Sequence, residues 1–390
     1  MKKLQVCLKK LIEIMPKIIK FSEVNPISNK QKININNEIN LIIKKRDFIL
    51  GDAVSRFEKS FSKLSKIKYS VGCASGTDAL LLSLMVLNLK KNDEIIVPSM
   101  TYISTGLSVI LNNNKIVFAD VDKNTGLISI DSIVKKITKK TKVIIPVNLY
   151  GQKVNLEKIK KKIPKKVFII EDSAQSHFAY SCHYCNNNGR EMCCKKMRNE
   201  NFADISCYSF FPAKNLGAYG DGGMVCSNNI QFYRRLLSLR NLGAVEKNNH
   251  KFIGLNSRLD TIQAVVLKNK LKMILKLNDQ RRKIANIYDK LLMNIKQIKL
   301  TKTDPGSTRH LYVIRTKNRN QLIKYLKKRN IYCQIHYPYS LNKVNYFKNN
   351  TRLKNSESWA RECVSLPIHP YLTTRDTLRV VNGIKEFFNS

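Results

Sequence analysis

The sequence predicts an α/β protein: a large domain built on a mostly parallel central sheet, followed by a smaller C-terminal α+β domain. Three observations carry this prediction. Between about residues 68 and 227, short apolar runs alternate with segments of helical spacing, the pattern of strands joined by crossover helices. After Asp260 the alternation gives way to a long helical stretch reaching about Leu292. The remainder mixes a strand pattern at His310 to Ile314, a helical one at Gln321 to Lys328 and a terminal helix. The boundary therefore falls near residue 275, with residues 15–275 forming the large domain, 276–390 the small one and 1–14 an extension.

The opening MKKLQVCLKKLIEI has the basic start of a signal peptide, but Lys9, Lys10 and Glu13 interrupt its apolar run. No small-residue cleavage site follows, so the segment reads as an amphipathic extension, or as a non-native start with Met15 the working one. Ile95 to Val97, Ile116 to Ala119, Val143 to Val147 and Val167 to Ile170 read as buried strands. Thr77 to Leu89 and Asp131 to Ile137 read as helices between them. In such sheets ligands collect at the carboxyl ends of the strands, which is where chemistry is expected. Neither GxGxxG nor GxxxxGK[ST] occurs, which counts against nicotinamide and nucleoside-triphosphate sites.

The formal charge is +42, yet the lysines are spread through nearly every segment rather than gathered on one tail or face. That distribution predicts a solvated surface and no nucleic-acid partner. No apolar run reaches the roughly 18 to 20 residues of a spanning helix, so no membrane partner is expected. Cys207 and Cys226 lie inside apolar strand-like runs, as free buried thiols do, and the expected compartment is a reducing cytoplasm. Residues 181–200 form a cysteine-rich insertion. Cys182 and Cys185 have C-x2-C spacing, with His183 between them and Cys193 and Cys194 following. With only one clean pair, a solvated loop is expected rather than a zinc site, and no metal is assigned.

The chemistry-bearing signals lie at three strand ends. Gly217, Gly220, Gly222 and Gly223 crowd together just after Lys214, which itself follows the strand Ile205 to Phe210. Such crowding predicts positive φ or a loop wrapped closely around a ligand, and it singles out Lys214 among many lysines as a Schiff-base candidate. Val167 to Ile170 ends in Glu171 and Asp172. A carboxylate at the end of a buried strand costs desolvation unless it meets a cation, and a pyridinium nitrogen is one, although a helix N-cap also fits Asp172. Gln175 and His177 follow within reach of ring substituents, with His177 equally open to a structural role. In GCASGTDAL, Gly76 and Thr77 open a helix whose free amides suit a phosphate, though an ordinary N-cap explains the segment too. Tyr102 is placed to stack on a planar ring or to fill core.

Taken in order, FILG (Phe48 to Gly51), ASGTDAL, PSMTY, EDSAQSH, YSFFPAKNLGAYGDGG, GLNSRLDTIQA, HLYVIR, IHYP and LSLPIHP resemble the DegT/DnrJ/EryC1/StrS family of sugar-nucleotide aminotransferases. The resemblance covers nearly all of residues 15–390. It implies the aspartate-aminotransferase-like fold, fold type I of pyridoxal 5'-phosphate enzymes, working as a homodimer with shared active sites. It further implies that Lys214 carries the cofactor, Asp172 pairs with its pyridine nitrogen and Gln175 contacts its ring hydroxyl. Gly76, Thr77 and Ser209 would hold the phosphate, Asn256 would reach in from the partner chain and Tyr102 would stack on the ring. The implied reaction moves an amino group from an amino acid, with glutamate the expected donor, to a nucleotide-diphosphate-linked keto-sugar in amino-sugar and polysaccharide biosynthesis. His336 and Tyr337 look like the substrate-binding residues of members acting at C3. The family continues that motif with proline and histidine where this chain has Ser340 and Asn342, which leaves C4 amination open. A related branch that dehydrates sugars replaces the Schiff-base lysine with histidine, which Lys214 argues against. An inactive or regulatory member of the same fold is the remaining alternative.

Overall fold

Aliphatic and β-branched runs with polar ends form the strands of the central sheet, because only two-sided burial suits such runs. A computed structural model describes residues 18–24, 28–180, 202–347 and 351–389. The extension 1–14, Met15 and the cysteine-rich insertion 181–200, with its zinc question, lie outside the described residues. Seven strands make the large sheet: β1 Tyr69–Cys73, β2 Glu94–Pro98, β3 Lys115–Ala119, β4 Thr141–Ile144, β5 Phe168–Asp172, β6 Ile205–Ser209 and β7 Gly223–Ser227. Their order is β1-β7-β6-β5-β4-β2-β3.

Every pairing from β3 across to β6 is parallel, whereas β7 runs antiparallel to both β6 and β1. The sheet is thus mostly parallel, and β7 is its inverted strand. Chain returning from β6 through the glycine-rich loop needs no crossover helix, which an antiparallel neighbour permits. Successive strand residues feed opposite faces. Ile95, Val97 and Val143 pack on one side with the helix Gly76–Met85, while Ile96, Ile144 and Ile169 pack on the other. The predicted strand Val143 to Val147 stops pairing continuously at Ile144. Pro146, lacking an N–H, sits just beyond, although its carbonyl still accepts from the amide of Asp172 at 2.9 Å.

The predicted long helix after Asp260 is two helices, Thr261–Leu271 and Ile274–Leu292. No glycine or proline separates them. The core they serve changes within the second helix, beyond its first turn. Ala264, Val265, Leu267 and Ile274 pack with Phe57, Phe61 and Phe210, whereas Ile284, Ala285, Tyr288 and Leu292 pack with the three-stranded sheet that follows. That sheet, Lys299–Leu300, Tyr312–Arg315 and Cys363–Leu366, is antiparallel and carries the helices Arg319–Lys328 and Thr374–Asn389. Ile19 also belongs to this second core: it bridges Ile331, although the sequence division places it with the large domain. Among the described residues no helix is long and apolar enough to cross a membrane.

Candidate functional site

The carboxyl ends of β5 and β6 open onto a cavity of about 470 Å³, within the roughly 300–1,000 Å³ typical of small-molecule sites. Lys214 and Asp172 both line it. Strand alternation splits the two acids that end β5. Glu171 meets Lys153 at 2.5 Å and accepts from Asn148 and Ser206, so although burial acts to raise its pKa, these partners hold it below the ordinary value. Asp172 points to the cavity, where burial raises its pKa despite the amide of Ala174, the hydroxyl of Thr105 and the charge of Lys214. One carboxylate oxygen accepts from the Ala174 amide at 3.1 Å and the other from Thr105 Oγ1 at 2.9 Å. Asp172 is thus a fixed acid without a buried cation bonded to it, a site for a protonated ring nitrogen.

Lys214 follows a turn closed by its own amide donating to the Phe211 carbonyl at 2.8 Å. Its ammonium makes no hydrogen bond or ion pair with a described residue. Burial lowers it to about 8, with Asp172 pulling the other way. The glycines after it do not adopt positive φ, contrary to one expectation of the sequence: among the described residues the positive-φ glycines are Gly126, Gly151 and Gly243. Close approach of backbone to backbone explains two of the four instead, for a Cβ on Gly217 would run into the Pro212 carbonyl and one on Gly223 into the Ser75 carbonyl.

That contact brings β7 against the mouth of the helix Gly76–Met85. Ser75 caps this helix, its hydroxyl accepting from the Asp78 amide at 3.0 Å, which leaves the amides of Gly76 and Thr77 facing the cavity they line. Ser209 closes the cradle: a Cβ on Gly76 would lie 2.5 Å from Ser209 Cβ. Thr77 Oγ1 is fixed by Ser104 Oγ at 2.7 Å. Amides, a hydroxyl and the positive end of a helix together suit a phosphate.

Tyr102, Gln175, His336 and Tyr337 complete the wall. The Gln175 amide is oriented at both ends: its oxygen accepts from the Tyr150 amide at 2.7 Å and its nitrogen donates to the Tyr337 hydroxyl at 2.8 Å. The rings of Tyr102 and Tyr337 lie 5.6 Å apart. His336 pairs with Ser365 Oγ at 2.9 Å and stacks on Phe21, and burial, reinforced by Lys214, lowers it to about 4. His177 is not part of the wall. It packs between Tyr208 and Phe210, and burial lowers it to about 3, as a structural residue behaves. Asn256 is exposed and outside the cavity of its own chain, bridging Asn241.

Three residues here were not singled out from the sequence. Thr105 orients Asp172 from the helix Ile103–Leu111, and nothing in its neighbourhood marks that hydroxyl. His310, just before the strand Tyr312–Arg315, lines the cavity. The Asn215 side-chain nitrogen donates to Asn278 at 2.8 Å, so its oxygen accepts from His310 Nδ1 at 2.8 Å, and the Nε2 of this buried, neutral ring carries a lone pair. Arg281 lines the cavity from the buried stripe Ile274, Asn278, Arg281, Ala285, Tyr288. A cation at an apolar helical position is the signal that would have found it.

A phosphate cradle, a buried acid and an unpaired amine on one cavity fit pyridoxal phosphate, and the wider comparisons agree. The model of the DegT/DnrJ/EryC1/StrS aminotransferase family matches residues 29–385. A pleiotropic regulatory protein of Geobacillus stearothermophilus is 34% identical over 357 residues, covering 89% of this chain and 92% of that one. A UDP-N-acetyl-3-dehydro-alpha-D-glucosamine 3-aminotransferase of Acidithiobacillus ferrooxidans is 35% identical over 352 residues, again 89% and 92%. The crystal structure of S. venezuelae DesV in complex with a ketimine intermediate superposes with a TM-score of 0.87 at 30% identity, covering 96% of this chain and 99% of that one. The chain therefore belongs to the DegT/DnrJ/EryC1/StrS aminotransferase family, whose members depend on pyridoxal phosphate.

Proposed function

We propose that this aminotransferase loads an amino group from an amino acid, glutamate being the expected donor, and delivers it to C3 of a nucleotide-diphosphate-linked keto-sugar. The observation that carries the reading is the convergence of Lys214 and Asp172 on one cavity, close enough for each charge to shift the other. Pyridoxal phosphate, when bound, supplies a ring that withdraws the electron pair left when a carbon–hydrogen bond breaks. Asp172, held by Thr105 and the Ala174 amide, would keep that ring's nitrogen protonated. Gly76, Thr77 and Ser209 would hold the phosphate, Tyr102 would cover the ring and the Gln175 amide, already oriented, would donate to the ring oxygen. Asn256 would complete the cradle from a second copy of the chain, which makes a homodimer part of the proposal, as is a cytoplasmic setting.

Lys214 carries the proton. Burial, by lowering its pKa to about 8, brings it nearer neutral pH, which suits a group that would pass a proton between two carbon atoms. The assignment to C3 draws support from the Acidithiobacillus relative's named reaction, and His336 and Tyr337 would face the sugar. The test is incubation with glutamate and a panel of UDP- and dTDP-linked keto-sugars, locating the new amine by NMR. A 3-amino product is expected, and an exclusively 4-amino product would overturn the regiochemistry. The regulatory name of the Geobacillus relative favours the second reading, an inactive member. Purified protein that lacks cofactor absorbance, and gains none on adding pyridoxal phosphate, would support that reading instead.

A further inference from the structure

Three arginines are buried among the described residues: Arg240, Arg281 and Arg315. Arg240 meets Glu58 at 2.5 Å and Arg315 meets Glu362 at 3.9 Å. Arg281, only 7% exposed, forms no ion pair with a described residue. One terminal nitrogen donates to the Ile368 carbonyl at 3.0 Å, and its Nε has no hydrogen-bond partner. A desolvated guanidinium left this way is costly, and its natural complement is an anion that arrives with a ligand. Arg281 lines the main cavity and also a smaller one of about 50 Å³ beside it, and Lys214 lines both. An anion at Arg281 therefore shares a cavity with the reacting amine.

Two sources of anion enter such a site, the carboxylate of the amino donor and the diphosphate of the nucleotide. Connectivity separates them. The α-carboxylate is attached directly to the carbon whose amino group is taken, so it must lie beside Lys214. A diphosphate on C1 of a sugar is several bonds from a reacting C3. A guanidinium fork also matches a carboxylate in two parallel hydrogen bonds.

We propose that Arg281 is the donor-recognising residue, pairing with the carboxylate of the amino acid that loads nitrogen. The proposal rests on the reading that the donor is an amino acid. The holoprotein is titrated calorimetrically with glutarate, a dicarboxylate without the amine, and separately with UDP and dTDP, while cofactor absorbance follows conversion by glutamate and other amino acids. In Arg281→Gln the glutarate dissociation constant should rise about 100-fold with nucleotide affinity unchanged. Arg281→Lys keeps the charge but loses the fork and should weaken glutarate about 10-fold, which covers a Gln variant that does not fold. Unchanged glutarate binding in the variants, with the native protein still converted by glutamate, overturns the role of Arg281 alone. Loss of nucleotide binding with glutarate unaffected assigns Arg281 to the diphosphate and likewise overturns it. A native protein converted by no amino acid overturns the donor reading and the proposal together.

Discussion

Replacing Lys214 with methionine should abolish transamination and, in the cofactor-free protein, raise stability. The Lys214 ammonium has no bonding partner among the described residues, and burial lowers it from 10.5 to about 8. That displacement corresponds to roughly 3 kcal/mol, and partial contact with cavity water reduces it to about 2 kcal/mol. The sign follows from proton counting. Between about pH 8 and 10.5 the unfolded chain binds a proton that the folded one has lost, so stability rises with pH across that window. Below about 8 the full penalty is present. Methionine has similar length and no charge, and so removes the penalty without opening a cavity. Urea unfolding of the cofactor-free proteins, followed by circular dichroism, should show Lys214→Met more stable at pH 7 by about 2 kcal/mol, with the advantage shrinking as the pH approaches 10.5. A variant no more stable than the native protein at pH 7, or an advantage that ignores pH, would refute the claim that this amine is held desolvated.

Other substitutions probe the remaining parts. Thr105→Val keeps shape but removes a hydrogen bond to a carboxylate, so cofactor affinity measured by absorbance titration should fall about 10- to 100-fold. Asp172→Asn removes the buried charge itself and should reduce turnover about 100- to 1,000-fold, read from product formation at saturating cofactor. Gly76→Ala places a methyl group against Ser209, so the purified protein should retain far less cofactor after dialysis while its far-ultraviolet circular dichroism stays native-like.

How much of this was legible in the sequence depends on what each feature must announce locally. Strands β2, β4 and β5 announce themselves because two-sided burial demands runs of aliphatic residues. The inversion of β7 does not, since direction is set by which strand it meets and GMVCS reads the same either way. The break at Lys272 and Met273 is likewise not announced: no glycine or proline marks it, and Ile274, just beyond it, still packs in the core that the first helix serves. Asp172 and Lys214 stood out because an acid at a strand end and a lysine before crowded glycines are both locally unusual. Thr105 is an unremarkable hydroxyl on a helix, and its meaning comes entirely from the neighbouring strand. His310 gains its fixed tautomer from Asn215 and Asn278, residues far from it in sequence.

Asp172 and Lys214 also allow a sharper distinction, between an acid and amine that merely stabilise the fold and a pair arranged around a ligand. A structural ion pair depresses the acid and raises the base, because each charge is the other's main support. Glu171 and Lys153 show the first half of that pattern, with the acid held down by an amine 2.5 Å away. Asp172 and Lys214 show the reverse: burial raises the acid and lowers the amine, and their mutual attraction only moderates both shifts. The two groups are therefore near enough to interact and too far apart to satisfy each other. Their separation is a cost to the protein alone, and it would be recovered by something between them that offers a protonated nitrogen to the Asp172 carboxylate and a carbonyl carbon to Lys214. A flat heterocycle with a basic nitrogen on one side and an aldehyde on the other meets both demands at once, whereas two separate ligands would have to meet them independently.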